Sequence, residues 1–379
     1  MKKRCCIITT VHPPFDVRIF HRQAKSLVEA GYSVVLIAPH DGSETVDGIE
    51  IVPLPKSHNR ALRMMRIITA FRLALRQKAD IYHFHDPELL PVGWLLNKWT
   101  GKTVIYDVHE HHPNAIMDKP WIPKKLRPIL KKCLELIEPV FVHSLSAVIY
   151  TTPIVGERYI QMVGRTERVE NLPLLSVFSD FKRVEKKGDK IIIIYPGEMR
   201  EPTGLLQLIK AFSHVVRRNH NNLELILIGQ VKTVEFKSEM QSLIKKLNLD
   251  IRVKLLAPVP YEKIKEYLSE ADIGVVTYLP YPNNMSCLSN KVFEYMACGL
   301  PVVAPDFPLY RELVNSVGFG ILVDTTSPEN IAEAIEKLMV NPDLRNHMSQ
   351  RARKGFLEKY NWESERKKLL KLYSELLSE

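Results

Sequence analysis

The sequence predicts an α/β chain in which two doubly wound parallel-sheet domains follow one another. Three observations lead there. At 379 residues the chain exceeds one ordinary domain. Short β-branched runs alternate with longer amphipathic stretches, the pattern of βαβ units. That alternation breaks once, over residues 171–190, which are polar and charged and contain Pro173.

The first series has strand candidates at Cys5–Thr10, Val34–Ala38, Ile81–His85, Thr103–Asp107 and Ala147–Tyr150. Helix candidates between them include Phe20–Ala30, Glu88–Trp99 and Leu126–Phe141. A second series opens with the apolar run Lys190–Tyr195, as expected of a strand buried on both faces. It continues at Glu224–Ile228, Arg252–Leu256, Ile273–Thr277, Pro301–Ala304 and Gly320–Val323, with helices at Leu205–Arg217, Phe236–Leu247, Tyr261–Leu268, Lys291–Cys298 and Pro328–Leu338. The expected organisation is a first domain over 1–172, a linker over 173–189, a second domain over 190–357, and a final segment, 358–379, packing back toward the first domain. Parallel sheets of this kind bind ligands beyond the carboxyl ends of their strands, so two such domains are expected to face each other across a ligand cleft.

Composition narrows the function classes. A hydrophobic fraction of 45% with 25% charged residues suits a globular protein with sizeable cores. No apolar run reaches the roughly 18 residues of a membrane span. The basic start Met1-Lys2-Lys3-Arg4 leads into a first buried strand, not a signal peptide. Five cysteines without metal-ligand spacing read as reduced thiols, which places the chain in the cytoplasm. The net charge of +10 is concentrated: seven Lys or Arg and no acid lie between Lys56 and Lys78, and Lys124, Lys125, Arg127, Lys131 and Lys132 form a second cluster. Both clusters carry apolar residues at helical spacing. They suit either peripheral contact with an anionic membrane at its inner face or a merely solvated basic surface. Aromatic residues are not interleaved with the charge, so nucleic acid is not expected. Ten of the 13 histidines fall in the first 143 residues. His83 and His85 share a strand face and could converge, but nothing in the sequence fixes a third ligand, so no metal is expected.

Four segments carry a resemblance. They are Asn290-Lys-Val-Phe-Glu-Tyr-Met-Ala-Cys-Gly-Leu-Pro-Val-Val-Ala304, Tyr82-His-Phe-His-Asp-Pro-Glu-Leu-Leu-Pro-Val-Gly93, Val104-Ile-Tyr-Asp-Val-His-Glu110 and Pro13-Pro-Phe-Asp-Val-Arg-Ile-Phe-His21. With Asn361-Trp362 and the last helix, the chain resembles retaining glycosyltransferases of family 4 along essentially its whole length. The resemblance implies the GT-B fold, two Rossmann-like domains across a cleft. It also implies a nucleoside-diphosphate-sugar donor and a mechanism without metal or other cofactor.

The residues read the same way on physical grounds. Ser289 and Asn290 precede a helix whose free N–H groups and positive dipole end suit a diphosphate, and Lys291 adds a full charge. Glu294, one turn on, matches the glutamate that holds the ribose in the resembling family. Gly197, Arg200, Thr203 and Ser286 complete the candidate donor set, and His109 matches the histidine near the transferred sugar. Asp16, Arg18, His85 and Glu110 are candidates on the acceptor side, with Asp16 and Arg18 close enough in sequence to pair only with each other.

The chain also departs from the family pattern. Glu198 and Thr203 stand where relatives carry an Arg and a Lys, and Ser286 stands where they carry a glutamate. The expectation is a retaining glycosyltransferase acting on a hydroxyl acceptor, a glycan or lipid-linked sugar of the cell envelope. The alternatives are a sugar-nucleotide-binding scaffold without activity and a nucleotide-sugar epimerase.

Overall fold

The structure is a computed structural model that describes residues 2–56, 60–109, 111–117, 122–184, 188–218 and 222–378. The chain forms two compact units, residues 1–171 with 362–379, and residues 172–361.

Unit 1 contains strands β1 (Arg4–Ile8), β2 (Ser33–Pro39), β3 (Glu44–Val46), β4 (Ile49–Leu54), β5 (Ile81–Phe84), β6 (Thr103–Val108), β7 (Ala147–Tyr150) and β8 (Thr166–Arg168). They form one sheet in the order β3-β4-β2-β1-β5-β6-β7-β8, parallel except for the β3–β4 pair. Its helices are α1 (Lys25–Glu29), α2 (Arg60–Arg76), α3 (Leu90–Thr100), α4 (His112–Met117), α5 (Arg127–Val142) and α6 (Pro153–Ile160). Where one helix was expected over 20–30, a wide π-helical segment, Val17–Ala24, runs into the short α1. The sequence reading missed β3, β4 and β8. β3 and β4 form a hairpin turned by Asp47 and Gly48, both with positive φ (52° and 78°), an Asp-Gly turn signal. Each of the three strands is short or carries a proline, so no long apolar run marks it.

Unit 2 begins with α7 (Leu175–Phe178) and contains β9 (Ile191–Pro196), β10 (Leu223–Ile228), β11 (Val253–Leu256), β12 (Ile273–Val275), β13 (Val302–Pro305) and β14 (Gly320–Val323). These pair in parallel in the order β11-β10-β9-β12-β13-β14. Helices α8 (Leu205–Arg217), α9 (Val234–Lys246), α10 (Ile264–Glu270), α11 (Pro282–Ser286), α12 (Asn290–Ala297), α13 (Pro308–Val317), α14 (Pro328–Val340) and α15 (Pro342–Glu358) connect them. Alternate residues of each strand enter cores on opposite sheet faces: Ile192, Ile194, Ile226 and Val302 on one, Ile193, Tyr195, Leu225 and Val303 on the other. Residues 173–189 do not form a bare linker, because Leu172 and Phe178 are buried in the core of unit 2.

Helix α16 (Trp362–Ser378) returns the chain to unit 1. Trp362, 1% exposed, donates its indole N–H to the Ser26 hydroxyl at 2.9 Å. Among the described residues no helix is long and apolar enough to cross a membrane. In both sheets the strand order reverses beside the first strand, between β1 and β5 and between β9 and β12. Loops leaving these strands diverge there and open a crevice at their carboxyl ends.

Trp362→Ala should lower the unfolding free energy of unit 1 by about 3–5 kcal/mol, the usual cost of emptying a buried aromatic site. Urea denaturation followed by circular dichroism checks this, and Trp362→Phe should lose less.

Candidate functional site

In unit 2 the groups at the switch point gather around one lysine. Lys291 stands in the first turn of α12 and is only 7% exposed. Its ammonium lies 4.6 Å from the ring centres of both Tyr195, at the end of β9, and Tyr278, in the loop after β12. It donates to the Tyr278 hydroxyl at 2.8 Å and to Ser289 Oγ at 3.1 Å. Every hydrogen-bond partner it has here is neutral. Burial opposes its charge, but Tyr195, Tyr278 and Glu294 outweigh burial and hold the pKa above the ordinary lysine value. The result is a buried cation at neutral pH. Gly197, at φ 128°, lets the chain pass beside it, since a Cβ there would lie 3.3 Å from Lys291 Cε.

The neighbouring loops complete the surroundings. Ser289 precedes α12, yet its hydroxyl turns to Lys291 and Tyr278 instead of capping the helix. Glu198 lies 3.0 Å from Arg200 and 2.9 Å from Lys232. Those two cations outnumber it, so the loop presents no net negative charge. Thr203 and Ser286 are buried, and their hydroxyls donate to the carbonyls of Arg200 and Pro282 within their own turns.

In unit 1 the switch point holds a buried polar network. Arg18 leaves the π-helical segment and clamps Asp107 on β6 with two hydrogen bonds, 3.0 Å from Nε and 2.7 Å from Nη2. Gln23 donates to the same carboxylate at 2.5 Å, and Arg18 also reaches Asn171 at 2.7 Å. Burial pushes the Asp107 pKa up, but Arg18, His109 and His83 pull it well below the usual range. His83 and His85 stack at 4.7 Å, and His83 Nδ1 bonds the Tyr373 hydroxyl of α16 at 2.8 Å. His85 Nδ1 meets His109 Nε2 at 2.9 Å. Burial, reinforced by Arg18, lowers the His109 pKa to about 3 despite Asp107, so the ring is neutral in ordinary buffers.

At the edge of this network His12 lies 3.4 Å from Asp16 and 3.7 Å from Asp86. Asp16 caps the π-helical segment, accepting from the backbone N–H of Arg18 and Ile19. Burial pushes its pKa up, but the bond to His12, the charge of that ring and the backbone N–H of Ile19 together bring it down to about 2. His83, His85 and Asp107 bring ligand atoms within 4.8 Å of one another, so a third partner for the two histidines does exist. That carboxylate already accepts Arg18 and Gln23, and the guanidinium supplies its counter-charge. The donor set therefore fits an ion-paired carboxylate, not a cation site.

Two family models match the chain in succession. The 4-like glycosyl transferase domain covers residues 17–174, and the group 1 glycosyl transferases cover 176–355. The chain belongs to the group 1 glycosyltransferases. An uncharacterized glycosyltransferase of Methanocaldococcus jannaschii is 26% identical over 59% of this chain and 55% of that protein. The chain spans about half the length of the curated relatives it matches. Among solved structures, sucrose-phosphate synthase from Thermosynechococcus elongatus aligns over 100% of both chains with a TM-score of 0.82 at 19% identity. An Anabaena protein solved with UDP-glucose aligns over 98% of this chain and 99% of that one, with a TM-score of 0.75 at 15% identity. At such identities these likenesses speak to the fold, which is GT-B with two Rossmann-like domains.

In this glycosyltransferase the structure gathers Gly197, Ser289 and Lys291 around one cation, with Glu294 half-buried one turn on and Asn290 exposed at the helix start. It brings His85 and His109 together. Arg18 and Asp16 do not pair with each other: Arg18 is buried against Asp107, while Asp16 serves the helix cap and His12. Glu110 lies outside the described residues. Sequence reasoning missed Tyr195, Tyr278, His12 and Asp107. Only Asp107 had a signal, since it stands two residues before His109 and so shares its strand face.

These shifts set a pH dependence. His85 and His109 have lowered pKa values, so their contribution to stability is intact above the unfolded value of 6.5 and is lost as pH falls toward about 3. His12 has a raised pKa and acts oppositely, its contribution fading as pH rises through that value. Unfolding free energy measured in urea should therefore rise from pH 4.5 to pH 6.5, and His109→Gln should flatten the rise.

Proposed function

We propose that this protein moves a sugar, with retention of configuration, from a nucleoside-diphosphate sugar to a hydroxyl of a glycan or lipid-linked acceptor. The observation that carries the reading is Lys291, a buried ammonium whose hydrogen-bond partners are neutral, placed beside Gly197 at the sheet's switch point. Among the described residues Lys291 is hydrogen-bonded to no anion, Glu294 acting on it only through space, and a diphosphate would supply a directly bonded counter-charge. The N-terminus of α12 adds N–H groups and dipole. Glu294 is placed to accept from the ribose hydroxyls, and Asn290 and Ser289 flank the phosphates.

Arg200 contributes less than a free arginine would, because Glu198 shares it. Thr203 and Ser286 give their protons to backbone carbonyls, so they offer the donor only acceptor oxygens. His109, neutral and fixed by His85, orients the sugar near its reactive carbon without adding charge. His12 and Asp16 are the more exposed groups beside it and form the acceptor side. As charge builds on the leaving diphosphate, Lys291 and the helix stabilise it, and the phosphate takes the acceptor's proton. No metal is needed in this scheme because the diphosphate's counter-charge comes from the protein. Five cysteines that form no disulfide agree with a cytoplasmic setting.

The second reading, a sugar-nucleotide-binding scaffold, is favoured by Thr203 and Ser286, which turn their hydroxyls inward. Calorimetric titration with UDP, GDP and ADP, with and without magnesium, tests the first step. We expect micromolar binding of one nucleotide that ignores magnesium. Lys291→Met keeps the aliphatic stem between the two tyrosines, removes the charge, and should weaken binding about 10- to 100-fold. Absence of binding at millimolar nucleotide would overturn the donor site. Binding without transfer or hydrolysis of any matching sugar nucleotide would give the scaffold reading the lead.

A further inference from the structure

Helix α5 is unusual for a helix covering a core. The middle of its inward face is polar, with Val142 buried at its end. Glu138 is fully buried, accepts from Tyr159 at 2.6 Å and pairs with Arg158 at 2.7 Å, and Lys131 bonds Asn114 at 3.0 Å. Its outward face is aliphatic. Leu126, just before the helix, and Ile129, Leu130, Leu136, Ile137 and Val140 within it recur at helical spacing, and all are exposed, Leu136 and Val140 by 67% and 68%. An apolar stripe more than three turns long facing away from the protein has no role in the fold.

The stripe has neighbours of the same character. α2 packs on α3 and α3 on α5, with ring contacts Phe71–Trp99 at 5.2 Å and Trp94–Phe141 at 6.3 Å joining them. Met65 and Ile68 on α2 and Trp99 on α3 are exposed as well. The charge on this layer is mainly positive. The sequences of α2 and α3 contain no acidic residue, and of the two in α5, Glu138 is buried and paired while the half-buried Glu135 lies 4.0 Å from Lys131. Arg72, Arg76, Lys98, Lys124, Lys125 and Lys132 are exposed around the apolar groups.

We propose that the α2–α3–α5 layer of unit 1 docks on an anionic phospholipid bilayer, with α5 lying in the plane of the interface. Aliphatic side chains enter the acyl boundary, flanking lysines and arginines meet phosphate headgroups, and Trp99 sits at headgroup depth. The excess of positive charge decides the occupant. A second copy offering the same face would oppose cation to cation, whereas an anionic lipid surface neutralises it. None of the exposed residues proposed to meet the bilayer belongs to the Lys291 site or to the His109 network, so this inference does not depend on the sugar-transfer reading.

Co-sedimentation of the full chain with vesicles tests it, using phosphatidylcholine alone and phosphatidylcholine mixed with phosphatidylglycerol. The protein should bind the mixed vesicles, weaken with salt and leave phosphatidylcholine alone unbound. Ile129→Asp with Leu136→Asp should cut binding at least tenfold, and Lys125→Glu with Lys132→Glu roughly fivefold per residue changed or more. All four positions are exposed, so thermal melting and nucleotide titration should match the parent, which separates loss of docking from loss of the fold or of the donor site. Binding that these variants leave unchanged overturns the proposal. So does failure of the parent to bind. A doubled mass in sedimentation that Leu136→Asp abolishes would assign the face to a second copy instead.

Discussion

The Arg18–Asp107 ion pair is the constraint on which unit 1 depends. It ties the segment after β1 to the end of β6, two strands away in the sheet, and both partners are essentially out of solvent. A buried pair of this kind is not a large net source of stability, because desolvation offsets much of the attraction. Removing one partner, however, strands the other charge, at about 3–5 kcal/mol. The pair therefore fixes geometry. It pins the π-helical segment, sets Gln23 beside the carboxylate, and surrounds His83, His85 and His109 with a charge balance in which all three rings stay close together. A guanidinium so near also explains why His109 resists protonation beside an aspartate, since Arg18 and burial act in the same direction. The π-helical geometry belongs to the same argument. Wide turns of this kind are uncommon and recur at functional positions, and this one lets Arg18 leave the helix toward β6 while Asp16 satisfies the first N–H groups.

Unit 2 solves the opposite problem, how to keep a cation without pairing it. Lys291 has aromatic faces on two sides and hydroxyl oxygens as acceptors, with Glu294 acting on it from one turn away, an environment that tolerates a charge and leaves it without a directly bonded acid. The same logic accounts for the departures from the family pattern. Positive charge is not supplied after β9 through the positions of Glu198 and Thr203, but reaches the Gly197 loop from the start of α12. Glu198, which alone would repel a diphosphate, is outweighed by Arg200 and Lys232.

How much of this was legible in the sequence follows from what each feature leaves in a linear pattern. Buried parallel strands leave continuous apolar runs, so the central strands of both sheets could be read almost to the residue. Ala147–Tyr150 matches as expected. The short or proline-bearing strands β3, β4 and β8 leave no such run and were not seen. Site residues divided in the same way. Lys291, Ser289 and His109 stand inside motifs and could be named, whereas Tyr278 has no periodicity and no motif, and only folding brings it to the lysine. Arg18 was visible but its partner was not. The sequence suggested its near neighbour Asp16, and the fold chose Asp107, 89 positions away.

Helix α5 shows the limit of amphipathicity as a guide. Its apolar residues have the spacing of a core-facing stripe, and the usual inference would turn that stripe inward. The fold turns it outward because the opposite side carries Glu138, whose carboxylate is satisfied by Arg158 and Tyr159 of α6. Rotating the helix would bury the aliphatic stripe but expose that network and break three elements of contact at once: the carboxylate pair, the tyrosine bond, and Lys131 on Asn114. A polar anchor on the inner face thus specifies the rotation of the helix against the pull of hydrophobic burial. An outward stripe held so firmly is a property of the free protein and not a collapse awaiting rearrangement, and the predominantly positive charge around it selects what can cover it.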